Sequence, residues 1–298
     1  MRRRFVTLDV FTDKRFTGNP LAVVFEPAGL DTAAMQSIAR EFGHPETVFV
    51  LPPANPAHRA KLRIFTPAAE LQFAGHPTVG TAVALARFDG GGAHQFVVEE
   101  GIGPVRCDVI PTHVDLGRAT FVVPQLPAPA GMASDVASIA AGLGLDAADI
   151  GFDDFKPSRW SAGNAFTFVP LRSIAAIKRA QPDPAHFEAA LGAGARAMAY
   201  LFCRETAEAG NDFHVRMFAP SFGIREDPAT GSGAAGFPAL LAATGKYGDG
   251  DHVVRIEQGY EMGRPSLIEL AFTLRNGALA SASIGGSAVV VTEGAIEA

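Results

Sequence analysis

The sequence predicts an α+β fold of two similar halves, and three observations carry that expectation. One pattern occurs twice: Ile64-Phe65-Thr66-Pro67 followed by Gly75-His76, and Met217-Phe218-Ala219-Pro220 followed by Asp227-Pro228 and Gly231-Ser232-Gly233. Each copy runs from a strand-like stretch through a glycine-bearing turn into an alanine-rich segment. The remainder is rich in short strand patterns with few helical ones, which reads as α+β rather than a doubly wound α/β sheet.

The elements follow in order. Arg4–Val10 and Leu21–Phe25 read as a hairpin with the polar tip Phe16-Thr-Gly-Asn-Pro20. Asp31 is placed to cap a helix over 32–42, whose apolar Ala34, Met35, Ile38 and Phe42 share one face and which Gly43 stops. Strands are expected at 48–51 and 62–65, and a small-residue helix over 77–87. Further strands fall at 95–98, 105–109 and 120–123. A helix is expected at 135–143, a strand at 164–169, a helix at 184–191 and a buried strand at 198–203. After 214–218 and the second turn, strands follow at 255–257, 267–274, 279–284 and 287–291. The proline-rich stretch Pro124–Ala130 marks a loop or boundary, and the division between halves is placed near residue 115.

At 298 residues the chain suffices for two domains, and 48% apolar with 19% charged residues describes a globular protein. A net charge of −6 with no internal basic patch argues against nucleic acid, and Met1–Arg4 reads as a solvated end. No apolar run approaches the roughly 20 residues of a membrane span, and no signal-peptide core precedes the first strand, so a cytoplasmic protein is expected. Cys107 and Cys203 are far apart and read as core residues. No histidine spacing suggests a metal, so neither metal nor cofactor is expected.

Gly75-His76 and Gly231-Ser232-Gly233 fall where strand gives way to helix. Free N–H groups and the helix dipole there suit an anion such as a carboxylate, and a small-molecule site between the two helix starts is the expectation. The plainer alternative is that these glycines only permit tight turns. Neither loop has P-loop or Rossmann spacing. Glu46, polar before an apolar strand, is the candidate general base. Asp227 is either an ordinary helix cap or a partner carboxylate. His76, at a helix start that favours its neutral form, suits proton shuttling. Ser232 lies in Thr230-Gly-Ser-Gly233, which is not a nucleophile elbow, so it reads as a ligand-orienting residue. Asn19 is a turn residue with a lesser claim on the ligand, and Gly75, Thr230, Gly231 and Gly233 complete the expected substrate contacts.

The sequence resembles the phenazine-biosynthesis PhzF-like isomerase family, related in fold to diaminopimelate epimerase. The resemblance rests on ordered stretches from Leu8–Thr12 and Thr17–Val24 through Met35–Glu41, Glu46–Val50, Glu70–Ala82 and Arg225–Gly233 to Glu257–Ser266. It implies two pseudo-symmetric halves, each a curved, mostly antiparallel sheet around a central helix. The first half would be 1–115 completed by about 280–298, and the second 116–279. It also implies a cleft active site, a homodimer and cofactor-free isomerisation of trans-2,3-dihydro-3-hydroxyanthranilate, with Glu46 as base and His76, Asp227 and Ser232 in the paired loops. The related epimerases use two cysteines at the helix starts. Gly75 and Thr230 stand near those places here, which argues against a two-thiol mechanism. His44-Pro45 replaces the family's more frequent serine or asparagine before the glutamate. Two functional classes follow: a cofactor-independent isomerase or epimerase on a small carboxylate-bearing, cyclic amino-acid-like substrate, and a non-catalytic small-molecule binder of the same family. Glu46, His76 and Asp227 favour the enzyme, since binding alone needs no base.

Overall fold

Alternating apolar residues in the first hairpin become β1 (Arg2–Val10) and β2 (Asn19–Phe25), paired antiparallel across the glycine turn. Gly18 is required there: its φ is +67°, and a Cβ would fall 2.5 Å from the Val10 carbonyl oxygen. This is a computed structural model describing residues 1–90 and 92–298. The described residues form two units, Met1–Pro124 with Ser283–Ala298, and Gln125–Ala282.

In the first unit α1 (Thr32–Phe42) has the expected ends. Asp31 accepts from the Ala34 N–H, and Gly43 closes the helix in the left-handed region. Its Met35 and Ala39 are buried against Val24, Phe49 and Phe65. Then come β3 (Glu46–Leu51), β4 (Ala60–Phe65), β5 (Glu70–Leu71), α2 (Gly75–Asp89), β6 (His94–Glu100), β7 (Gly103–His113) and β8 (Leu116–Val122). Pairing runs from β1 to β2, parallel to β3, to β4, parallel to β6, then to β7 and β8. The last strand, β17 (Ala278–Glu297), pairs with both β8 and β1 and so closes the ring into a barrel. The sheet is mixed, with the parallel pairs β2–β3 and β4–β6 among otherwise antiparallel ones. The division falls at 124/125 and not near 115, because β8 is laddered between β7 and β17.

The second unit contains β9 (Ala128–Pro129), α3 (Val136–Leu143), β10 (Ser158–Ser161), β11 (Ala165–Pro170), α4 (Ile174–Arg179), α5 (Phe187–Leu191), β12 (Ala199–Cys203), β13 (Phe213–Ala219), β14 (Ile224–Asp227), α6 (Gly231–Ala243), β15 (Gly250–Gln258) and β16 (Ser266–Arg275). Its connections repeat the first unit's scheme: β11 lies parallel to β12, β13 lies parallel to β15, and a short return strand, β14, leads into the long helix. The helix expected over 184–191 starts only at Phe187, because Asp183 Oδ1 accepts the N–H groups of Ala185 and His186 and holds them in a turn. Helix α4 was not legible: it is six residues long, too short to show a period.

Both long helices are enclosed by their units. Every residue from Gly75 to Ala86 is buried, as is almost all of Gly231–Leu241. Small residues allow this. Phe237 of α6 packs against Phe168, Tyr200, Phe202 and Phe213, and a Cβ at Gly236 would lie 2.8 Å from the Phe168 ring. Gly236→Ala forces that aromatic cluster apart, and urea denaturation is expected to show a loss of about 1–3 kcal/mol. A loss below a few tenths would mean that the cluster yields freely.

Candidate active site

The parallel pairing of β2 and β3 sets Leu21 beside Glu46, next to Asn19 and Pro20. Both Glu46 and Asn19 are buried. His76, second residue of α2, places Nε2 3.1 Å from Glu46 Oε2. The imidazole also donates to the Pro20 carbonyl, which leaves Nδ1 as that donor. Burial is the chief reason the His76 pKa falls to about 3; the Pro20 bond opposes the fall and nearby His44 adds to it. The ring is therefore neutral. Nε2 and Oε2 approach closely without meeting hydrogen-bond geometry, so a neutral ring nitrogen stands beside the carboxyl.

Glu100, at the end of β6, holds the start of α2. Its Oε1 accepts from Thr78 Oγ1 at 2.7 Å, and the carboxyl also accepts the Ala74 N–H. Burial raises its pKa to about 8, against those two bonds, so it carries a proton at neutral pH. A lone glutamate closing a strand pattern gave no signal of this.

In the second unit Asp227 ends β14 and pairs with Met217. Its Oδ2 accepts from Thr230 Oγ1 at 2.6 Å, and the residue at the N-cap of α6 is Thr230. The ordinary-cap reading of Asp227 is thus replaced: it engages the cap residue's hydroxyl. Thr230, expected as a substrate contact, directs that hydroxyl to Asp227. Gly231, Ser232 and Gly233 form the first turn of α6, with Ser232 half-buried. Gly233 is there for close approach, since a Cβ would meet the Tyr200 ring at 2.5 Å. Gly75, Gly231 and Gly233 are all helical, so a tight turn is not what they provide. Tyr200 itself went unremarked in an apolar strand. Its buried hydroxyl has no hydrogen-bond partner among the described residues, and burial, with the charge of Asp227, pushes its pKa up. Gln258, also unassigned from the sequence, contacts both Asp227 and Thr230.

A family model described as phenazine biosynthesis-like protein matches residues 8–294. The chain belongs to that family. An uncharacterised isomerase of Mesorhizobium japonicum is 48% identical over 98% of each chain. A trans-2,3-dihydro-3-hydroxyanthranilate isomerase of Pseudomonas chlororaphis is 34% identical, again over 98% of both. Among solved structures, a phenazine biosynthesis protein of the PhzF family from Bacillus anthracis matches with a TM-score of 0.89 at 26% identity, covering all of both chains. Isomerase chemistry is what the family and these relatives support.

The family-like stretch Glu257–Ser266 also carries a buried charge cluster. His214 Nδ1 lies 2.6 Å from Glu257 Oε1 and Nε2 3.1 Å from Glu261 Oε1. Burial alone would lower the His214 pKa, but the two carboxylates outweigh it and raise it; Glu257 and Glu261 are lowered against their own burial chiefly by bonds to His214. The histidine's contribution is complete below about 6.5 and lost as pH rises through its raised folded value. The carboxylates' contribution is complete above about 4.5 and lost as pH falls through their lowered values. His214→Gln is therefore expected to cost about 3–5 kcal/mol. Chemical denaturation across pH should place the largest loss between those limits, and a loss independent of pH would contradict the ion-paired assignment.

Proposed function

We propose that the protein is a cofactor-independent isomerase or epimerase that moves a proton on a small, carboxylate-bearing, cyclic amino-acid-like molecule. The buried Glu46–His76 contact carries this reading. As Glu46 takes a proton from a substrate carbon, the C–H bond breaks and its electron pair passes into the adjoining π system. The proton is held on the Glu46 carboxyl, beside the neutral ring of His76. Return of the proton to another carbon gives isomerisation, and delivery of a proton to the opposite face by a second acid gives epimerisation.

The helix starts opened by Gly75 and by Gly231-Ser232-Gly233 are the groups proposed to bind the carboxylate and the developing negative charge, a role worth several kcal/mol in acid–base enzymes. Asp227 serves as the partner carboxylate, Ser232 and Asn19 orient the ligand, and Thr230 acts through Asp227. The relatives named as trans-2,3-dihydro-3-hydroxyanthranilate isomerases support a substrate of that type.

The test is proton NMR in deuterium oxide with trans-2,3-dihydro-3-hydroxyanthranilate, proline and related cyclic amino acids. Wild type is expected to exchange one carbon-bound proton of a panel member. Glu46→Gln should lower that rate by about 10²–10⁴-fold while ligand affinity changes little. Full-rate exchange in the variant would remove Glu46 as base, and wild-type binding without exchange would point to a non-catalytic binder.

A further inference from the structure

Gln258, fully buried at the end of β15, devotes its side chain to one short segment. Nε2 donates to the Asp227 carbonyl at 2.7 Å and to Thr230 Oγ1 at 2.9 Å, while Oε1 accepts the Thr230 N–H at 3.1 Å. These bonds fix a direction. An amide nitrogen only donates, so it occupies a lone pair of Oγ1 and leaves the hydroxyl hydrogen for Asp227 Oδ2. A proton on Oδ2 would compete with that hydrogen, so the arrangement favours an ionised carboxylate. The backbone is tied as closely: Gly259 has φ +81°, and a Cβ there would lie 2.6 Å from the Pro228 carbonyl oxygen.

We propose that Gln258 is a positioning residue that aims the Thr230 hydroxyl hydrogen at Asp227 and thereby holds this carboxylate in its ionised, accepting state. The proposal rests on reading Asp227 as part of the reaction machinery. The other ionisable groups on the elements around it are Tyr200 and Cys203 of β12, His214 and Arg216 of β13, Arg225 and Glu226 of its own strand, Asp251, His252, Arg255 and Glu257 of β15, and Tyr260, Glu261 and Arg264 just beyond. Arg216 is held bidentately by Glu226, and His214 by Glu257 and Glu261, so each of these charges already faces a partner. Helix α6 brings no ionisable side chain.

Q258E keeps the shape but replaces the donor with an acceptor, and T230V removes the relay while T230S keeps it. The readout is the pH titration of the Asp227 ¹³Cγ resonance in the full-length protein, assigned by its loss in D227N. The midpoint is expected to rise by about one pH unit or more in Q258E and in T230V, and to stay at the wild-type value in T230S. The acid limb of the exchange-rate profile with trans-2,3-dihydro-3-hydroxyanthranilate should move the same way. A common midpoint in wild type, Q258E and T230V overturns the proposal. If Q258E does not fold, the T230V and T230S pair decides it. The titration needs no substrate, so a protein that exchanges nothing yet shows these midpoint shifts loses the isomerase reading and keeps the clamp.

Discussion

Enclosing a helix on all sides is the constraint from which the rest of each unit follows. A helix with no solvent face cannot be amphipathic, so α2 is built mostly from Gly, Ala, Val and Thr and α6 mostly from Gly, Ala and Leu, and the strands come close enough that Gly80, Gly233 and Gly236 leave no space for a side chain. Burial also takes the helix starts out of water. Their unpaired N–H groups then need protein partners or a ligand. Glu100 meets part of that need for α2 through Ala74 and Thr78, and Gln258 meets part of it for α6 through Thr230. What remains at each helix start is a small set of aligned donors in a low-dielectric setting, where their effect on an anion is largest.

The same burial drives two histidines to opposite charge states. His76 and His214 are both withdrawn from solvent, which by itself favours neutrality in each. The difference is the partners. One ring nitrogen of His76 donates to a carbonyl and the other faces a single carboxyl, whereas both nitrogens of His214 face carboxylates, one of which is anchored by the N–H groups of Ala207 and Glu208. A neutral ring can hand a proton on. A doubly paired imidazolium is fixed, and it braces the strand carrying Gln258.

The repeated strand, turn and helix were legible because Phe-x-Pro and glycine-bearing turns leave local marks, and the capped helix α1 because Asp31 and Gly43 frame a clear period. Glu46, His76, Asp227 and Ser232 stood out as candidates, since polar residues at the ends of strands and helices contrast with apolar flanks. Their partners did not. The Glu46–His76 contact joins residues 30 apart in sequence through a parallel strand pair, and Gln258 reaches Asp227 only because β13 lies parallel to β15. Such pairings leave no local signature. The boundary near 115 failed for the same reason: β8 owes its place to β17, whose pairing residues lie more than 160 positions later.

The two carboxyls singled out for chemistry are not equivalent, and their surroundings explain how a pseudo-repeated scaffold can give a directional reaction. Glu46 lies beside a neutral imidazole nitrogen, and Asp227 accepts a hydroxyl hydrogen. A donated hydroxyl hydrogen favours the ionised form of Asp227, and the neutral His76 nitrogen beside Glu46 offers no such hydrogen. Under the proposed reaction the stronger base is the one that can take a proton from carbon, while the weaker one stays an acceptor that orients the substrate's own donors. The backbone scheme repeats, but the side chain at the second position of α2 and the hydroxyl before α6 differ, and in the proposed reaction that difference separates the roles of the two carboxyls.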